Sequence, residues 1–196
     1  MKKTLFFGSL AAITILSVAV FGQKKNESNL QTVSSVDLKQ YSGTWYEIAR
    51  YPNKFQDKCV GNTTATYTIK SEKKIEVLNQ CVKENGMVDK AKGEARIVDK
   101  NTNAKLEVRF APKVLSFIPA VWGDYWIIDL DENYKYAAIG DPKREYFWIL
   151  ARESKLDDAT YQNILRRAEE KGFNPAKVIK TPQKVEILKG AVIEKN

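Results

Sequence analysis

The sequence predicts an all-β protein: an eight-stranded antiparallel up-and-down β-barrel with one C-terminal α-helix packed outside. Three observations lead there. Short segments of alternating hydrophobicity recur with turn residues between them, as where Ala65, Tyr67 and Ile69 interleave with Thr64, Thr66 and Thr68. The segment 43–51 is apolar on both faces, with Trp45, Glu47 and Ala49 on one and Tyr46, Ile48 and Arg50 on the other, so both sides need covering. Only one stretch, 157–171, carries a strong apolar period of helical spacing.

Taken in order, residues 1–22 read as a signal segment: Lys2 and Lys3, an apolar run from Leu5 to Phe21, then Gly22 with Val20 two before it. The alternative, an uncleaved membrane anchor, needs an apolar run of about 20 residues, longer than this one. Residues 23–35 are polar and aperiodic, which predicts a flexible leader. Residues 36–196 then form one barrel domain, a size that supports a core without further stapling. A short turn over 36–41 closes the narrow end, and a first strand runs from Thr44 to Tyr51, where Pro52 stops it. Residues 53–58 loop over the open end. Strands follow over 62–70, 75–82, 93–98, 105–110, 122–130, 136–140 and 146–152, with turns at Asp131 to Asn133 and Asp141 to Arg144. Spacings this short favour sequential pairing, and closure removes the exposed edges.

The connection 111–121 is apolar where loops are normally polar, through Val114, Leu115, Phe117, Ile118 and Val121. It reads either as a greasy lip that admits an acyl chain or touches a bilayer, or as a loop folded onto its own core. In 157–171, Asp157 caps the helix, Ala159, Ile164, Leu165 and Ala168 form its stripe with Tyr161 at the border, and Gly172 ends it. It packs on the barrel over outward residues such as Ile48; its mixed charges weigh against a helix lying on a membrane. Residues 185–192 suit a short outer strand.

Gly43, Trp45 and the preceding residues 37–42 resemble the opening motif of the lipocalins, most closely the bacterial outer-membrane lipocalins. Residues 129–134 and Trp148-Ile149-Leu150-Ala151-Arg152 resemble the second and third motifs, in the right order, and the match covers about residues 36 to 182. The resemblance implies that Gly43, Trp45 and Arg152 close the barrel structurally, with the guanidinium stacked on the indole. It implies a carrier of fatty acid or lysophospholipid, serving storage or transport in cell-envelope maintenance, and a homodimer as a further option. Bacterial members often carry a lipid-modified cysteine just after the signal, and here this chain departs from them, since Cys59 and Cys81 both lie far downstream. The expected location is therefore outside the cytoplasm: periplasmic, associated with the outer membrane by another route, or secreted.

Histidine is absent, which excludes imidazole-based catalysis and histidine metal sites, and two cysteines cannot close a thiolate site. No metal, cofactor or catalytic residue is expected. The formal charge of +8, to which Lys2 and Lys3 contribute, reads either as plain solubility or as a preference for anionic surfaces such as phospholipid headgroups. The lysines are scattered, and no nucleic-acid motif is present. In an exported chain Cys59 and Cys81 suit a disulfide at the open end of adjacent strands. Hairpin counting sets Cys81 opposite Thr63, so the loop before the second strand must fold inward to join them.

Eight strands leave room for side chains or one small ligand. Ala49, Ala65 and Ala95 leave space, with Tyr67, Val77, Val108, Phe110, Phe117, Trp126 and Trp148 as apolar walls. Both faces are apolar at Tyr125 against Trp126 and at Phe147 against Trp148, so periodicity does not orient either pair. Glu47 and Asn79 are the polar exceptions, either a satisfied buried pair or water site, or a seat for a ligand headgroup. Two rival readings remain: an isomerase-type lipocalin enzyme using Cys59 as its thiol, and a cell-surface interaction module with a filled barrel.

Overall fold

The structure, a computed structural model, describes residues 30–72 and 74–184; the expected signal segment over 1–22, residues 23–29 of the expected leader and the outer strand expected over 185–192 lie outside the described residues. A four-residue helix, α1 (Leu38–Tyr41), starts where the Asp37 carboxylate accepts the N–H groups of Lys39 and Gln40. The chain then runs through β1 (Gly43–Arg50), β2 (Cys59–Ser71), β3 (Lys74–Lys83), β4 (Val88–Ile97), β5 (Lys105–Arg109), β6 (Gly123–Leu130), β7 (Tyr136–Gly140) and β8 (Phe147–Ala151). Helix α2 (Asp158–Glu170) and the two-residue β9 (Ile179–Lys180) follow. Strands β2 to β8 pair antiparallel in sequence order, and β1 pairs with both β8 and β2, so eight strands close on themselves. Strand β9 adds to β1 from outside.

Alternation sorts the side chains into two cores. Trp45, Tyr67, Val77, Leu106 and Ile139 fill the lower interior, while Ile48, Phe147 and Ile149 face outward against Tyr161, Ile164 and Ala168 of α2. The helix begins as expected, with the Asp157 carboxylate accepting from the Thr160 N–H at 2.8 Å. It ends at Gly172, whose φ of +87° permits the turn in which the Phe173 and Gly172 N–H groups donate to the carbonyls of Ala168 and Glu169. Ala159, expected in the buried stripe, is exposed, and Tyr161 anchors the helix instead.

The closed end is built on Trp45, which is fully buried and donates from its indole N–H to the Tyr41 carbonyl at 2.7 Å. The Arg152 guanidinium lies 3.8 Å over the indole ring and donates to the carbonyls of Thr44 and Gln40. Gly43 meets two demands there: its φ is +94°, and a Cβ would stand 3.4 Å from Arg152 Nη1.

Three local expectations change. Residues 30–35, expected within the flexible leader, are held, since Leu30 is buried in the outer core and the Val33 N–H donates to the Ile127 carbonyl at 3.0 Å. Strand β4 begins at Val88 rather than Gly93, because its polar first half pairs with β3 along its whole length, from Val82↔Val88 to Ile75↔Ala95. Strand β2 begins at Cys59, and its pairing with β3 slips between Cys59 and Gly61 and again between Gly61 and Thr64. Those two irregularities, with Asn62 at a φ of +48°, draw Cys59 down the strand and resolve the mismatch with Thr63. Cys59 and Cys81 form a disulfide with a Cα–Cα distance of 5.6 Å.

The bridge closes a loop of sequence separation 22, for which loop-closure entropy gives a stabilisation of about 3 kcal/mol. Reduction, or Cys59→Ser with Cys81→Ser, is expected to lower the urea midpoint accordingly. Equal midpoints with and without reductant would show that the unfolded chain gains nothing from losing the cross-link.

Candidate functional site

The barrel is plugged at the α1 end and open at the other, and a cavity of ≈ 600 Å³ occupies its upper half. That volume falls within the range of sites for small organic ligands, about 300–1,000 Å³. Eight of the residues expected to face the interior line it: Glu47, Ala65, Tyr67, Val77, Asn79, Val108, Phe110 and Trp148. Strand alternation explains most of these, since β2 and β3 pair Ala65 with Asn79 and Tyr67 with Val77 on the inward face.

Four expected residues lie elsewhere. Ala49 faces the outer core, because an irregularity in β1 between Glu47 and Ala49 breaks the alternation and sends both Ile48 and Ala49 outward. Ala95 lies deeper, lining a small crevice beneath the cavity with Tyr41, Tyr67 and Tyr125. Trp126 points outward, where the Lys105 ammonium sits 4.3 Å over its ring, and Tyr125 takes the inward place. Phe117 does not line the cavity; it is 78% exposed on the loop beside the mouth. At the second ambiguous pair Trp148 faces in and Phe147 faces α2.

Gln56 was not legible as a site residue, yet it organises one wall. Its side-chain carbonyl accepts from Trp148 Nε1 at 3.0 Å and Asn53 Nδ2 at 2.9 Å, while its amide donates to Glu47 Oε2 at 2.6 Å. Thr181 Oγ1 donates to Glu47 Oε1 at 2.6 Å, and Arg50 Nε stands 3.7 Å from that oxygen. Glu47 is therefore satisfied by Gln56, Thr181 and Arg50 rather than by Asn79. The Asn79 Oδ1 atom is buried without a hydrogen-bond partner. The strand pattern does contain the signal for Ala91, which sits on an inward position of β4 opposite Asn79; no pattern in the 53–58 loop reveals Gln56.

Burial raises the Glu47 carboxyl above its ordinary value near 4.5, against the lowering effect of the Thr181 and Gln56 hydrogen bonds and of Arg50. A raised folded-state value means that, as pH falls from neutral towards 4.5, the folded chain takes up this proton before the unfolded one. The stability of the wild type relative to Glu47→Gln is thus expected to rise over that window. A difference that stays flat across it, read from urea midpoints, would assign Glu47 an unshifted carboxyl.

At the floor, the hydroxyls of Tyr41, Tyr125 and Tyr67 form a chain with O···O distances of 2.7 and 2.8 Å. Burial pushes all three phenols up, so they stay protonated at neutral pH. At the mouth, Phe55 packs on Tyr146, which stacks on Trp148 with ring planes 7° apart. The loop 111–121 folds as two single 3-10 turns, Lys113–Leu115 and Pro119–Val121, neither with a buried residue. Its base is fixed by Trp122, which donates to the Ser116 carbonyl at 2.8 Å and lies under the guanidinium of Arg96 at 4.1 Å. Its tip leaves Val114 73% exposed, so the apolar residues are not folded onto a core of their own.

Among the described residues there is no cluster of three metal-ligating side chains, and no helix is long and apolar enough to cross a membrane. A deep apolar cup with few polar groups binds by burial rather than by chemistry.

The comparisons agree with that geometry. A family model described as a lipocalin-like domain matches residues 36–183. The chain is 40% identical over 159 residues to temperature-induced lipocalin-1 of Arabidopsis thaliana, covering 80% of this chain and 84% of that one. It is 34% identical over 148 residues to outer membrane lipoprotein Blc of Escherichia coli (strain K12), covering 75% and 79%. Among solved structures, insecticyanin from the tobacco hornworm Manduca sexta superposes with a TM-score of 0.62 at 22% identity, covering 79% of this chain and 84% of that one, a likeness of fold alone. With Gly43, Trp45 and Arg152 joined at one plugged end and a family model matching residues 36–183, the chain belongs to the lipocalin family.

Proposed function

We propose that this protein holds a single-chain lipid, a fatty acid or a lysophospholipid, in the barrel and stores or transports it outside the cytoplasm in maintenance of the cell envelope. The observation that carries the reading is the ≈ 600 Å³ cavity, apolar in most of its lining and open at one end. Burying an acyl chain there contributes about 25 cal/mol per Å² before the costs of association, which supplies affinity with little selectivity. The location is supported by the relatives whose names place them in the outer membrane. Lipid extracted from the purified protein and identified by mass spectrometry tests the reading. Protein that yields no lipid and displaces no fluorescent fatty acid would overturn it.

Two features weigh against the rival readings. The Cys59 thiol that an isomerase would use is joined to Cys81, and the barrel of a pure interaction module would be filled.

The lip supports contact with a membrane at the mouth. Val114 and Phe117 stand exposed beside Lys113, and Phe55, 69% exposed, stands beside Lys54, so apolar tips and cations share one rim. Each tip gains about 1.5–3 kcal/mol when fully buried in lipid. Val114→Asp with Phe117→Asp is expected to reduce co-sedimentation with phosphatidylglycerol vesicles at least tenfold. Undiminished sedimentation would remove the lip from the docking surface.

A further inference from the structure

We propose that the deep half of the cavity contains a polar subsite, formed by Asn79 and the Tyr67–Tyr125–Tyr41 hydroxyl chain, that takes an uncharged hydroxyl on the buried end of a single-chain lipid. The inference rests on the carrier reading above and narrows it to hydroxyl-bearing lipids.

Proton counting at the floor is the first ground. Each tyrosine hydroxyl carries one proton, and three hydroxyls joined by two contacts use two of them. One O–H is left over whichever way the chain is oriented. Tyr67 and Tyr125 line both the cavity and the crevice beneath it, so the surplus donor stands at the boundary in the two orientations that leave it on Tyr67 or Tyr125, and a ligand hydroxyl accepting there selects those over the one that leaves it on Tyr41. The second ground is the Asn79 Oδ1 atom, a buried acceptor with no donor. Asn79 pairs with Ala65, one inward step from the Val77 and Tyr67 pair, or about 7 Å along the strand towards the mouth. A spare donor and an orphan acceptor therefore belong to successive layers of one wall.

The third ground is charge. The described lining includes the carboxylates of Glu47, Asp89 and Asp124 and no lysine or arginine. A buried anion would find no cation inside, and an ionised carboxylate accepts hydrogen bonds without donating any. It could use the tyrosine proton but would leave Asn79 Oδ1 unmet. A hydroxyl accepts from the tyrosine chain and donates to an amide oxygen. A methyl end does neither, and it leaves both groups without a partner.

The test is displacement of dansylaminoundecanoic acid by three competitors: hexadecanoic acid, ω-hydroxyhexadecanoic acid and hexadecanol. The second carries its hydroxyl on the far end of the chain, and the third carries it as the only head. Without partners, a desolvated hydroxyl should weaken binding by about tenfold or more. With the subsite, ω-hydroxyhexadecanoic acid is expected to bind wild type at least as tightly as hexadecanoic acid, and the ratio of the two affinities should fall about tenfold in Asn79→Leu and in the double variant Tyr67→Phe with Tyr125→Phe, which removes both hydroxyls that border the cavity. Sensitivity to these variants confined to hexadecanol would also support the subsite, with the hydroxyl entering as the head. Ratios within one protein are insensitive to partial unfolding, and the tyrosine double variant, which removes two oxygens and no carbon, covers the case in which Asn79→Leu does not fold. If the terminal hydroxyl weakens binding tenfold in wild type while hexadecanol is unaffected by either variant, or if no ratio moves in either variant, the subsite is overturned while the carrier reading stands. If no competitor displaces the probe, the carrier reading itself falls.

Discussion

Replacing Trp45 with alanine is expected to lower the unfolding free energy by about 3–5 kcal/mol, the range for truncating a large aromatic in a packed core. The indole is fully buried, and its N–H bond to the Tyr41 carbonyl ties the first strand to α1. Its loss also strands the Arg152 guanidinium, which lies 3.8 Å above the ring. Arg152→Ala alone removes that stacking and the bonds to the Thr44 and Gln40 carbonyls, and is expected to cost about 2 kcal/mol. Both substitutions act at the plugged end, away from the cavity mouth, so affinity of the folded fraction for a fluorescent fatty acid should hold. Urea midpoints and probe titration on the same preparations check this. A large affinity loss in Arg152→Ala at unchanged midpoint would make Arg152 a ligand contact instead of a strut.

Filling the cavity produces the opposite pattern. Ala91 occupies an inward position of β4 and lines the cavity in open space, so Ala91→Trp places an indole where the lipid chain would lie without crowding the packed core beneath. Probe affinity is expected to fall more than tenfold, while stability stays within about 1 kcal/mol of wild type because no buried contact is lost. If Ala91→Trp bound the probe as well as wild type, the ligand would have to sit elsewhere. The contrast with Arg152→Ala separates what holds the barrel shut from what the barrel holds.

Much of this was determined by the sequence alone. Alternation and turn chemistry are local properties, so the eight strands, the capped helix and the two ends of the barrel could be read from the order of residues. The inward set on β2 and β3 followed from the same period of two, and eight of the expected wall residues do line the cavity. Tertiary structure alone decided what depends on register. One irregularity in β1 moved Ala49 from the interior to the outer core, and two in β2 brought Cys59 to Cys81 instead of leaving Thr63 opposite it. Where both faces of a strand are apolar, as at Tyr125 and Trp126, periodicity carries no sign, and only the position of α2 and the neighbouring strands assigned inside and outside. Thr181 meets Glu47 from 134 positions away, and Gln56 reaches it only because the loop after β1 folds back over the barrel. Contacts of that kind are fixed by closure of the sheet, and no pattern along the chain encodes them.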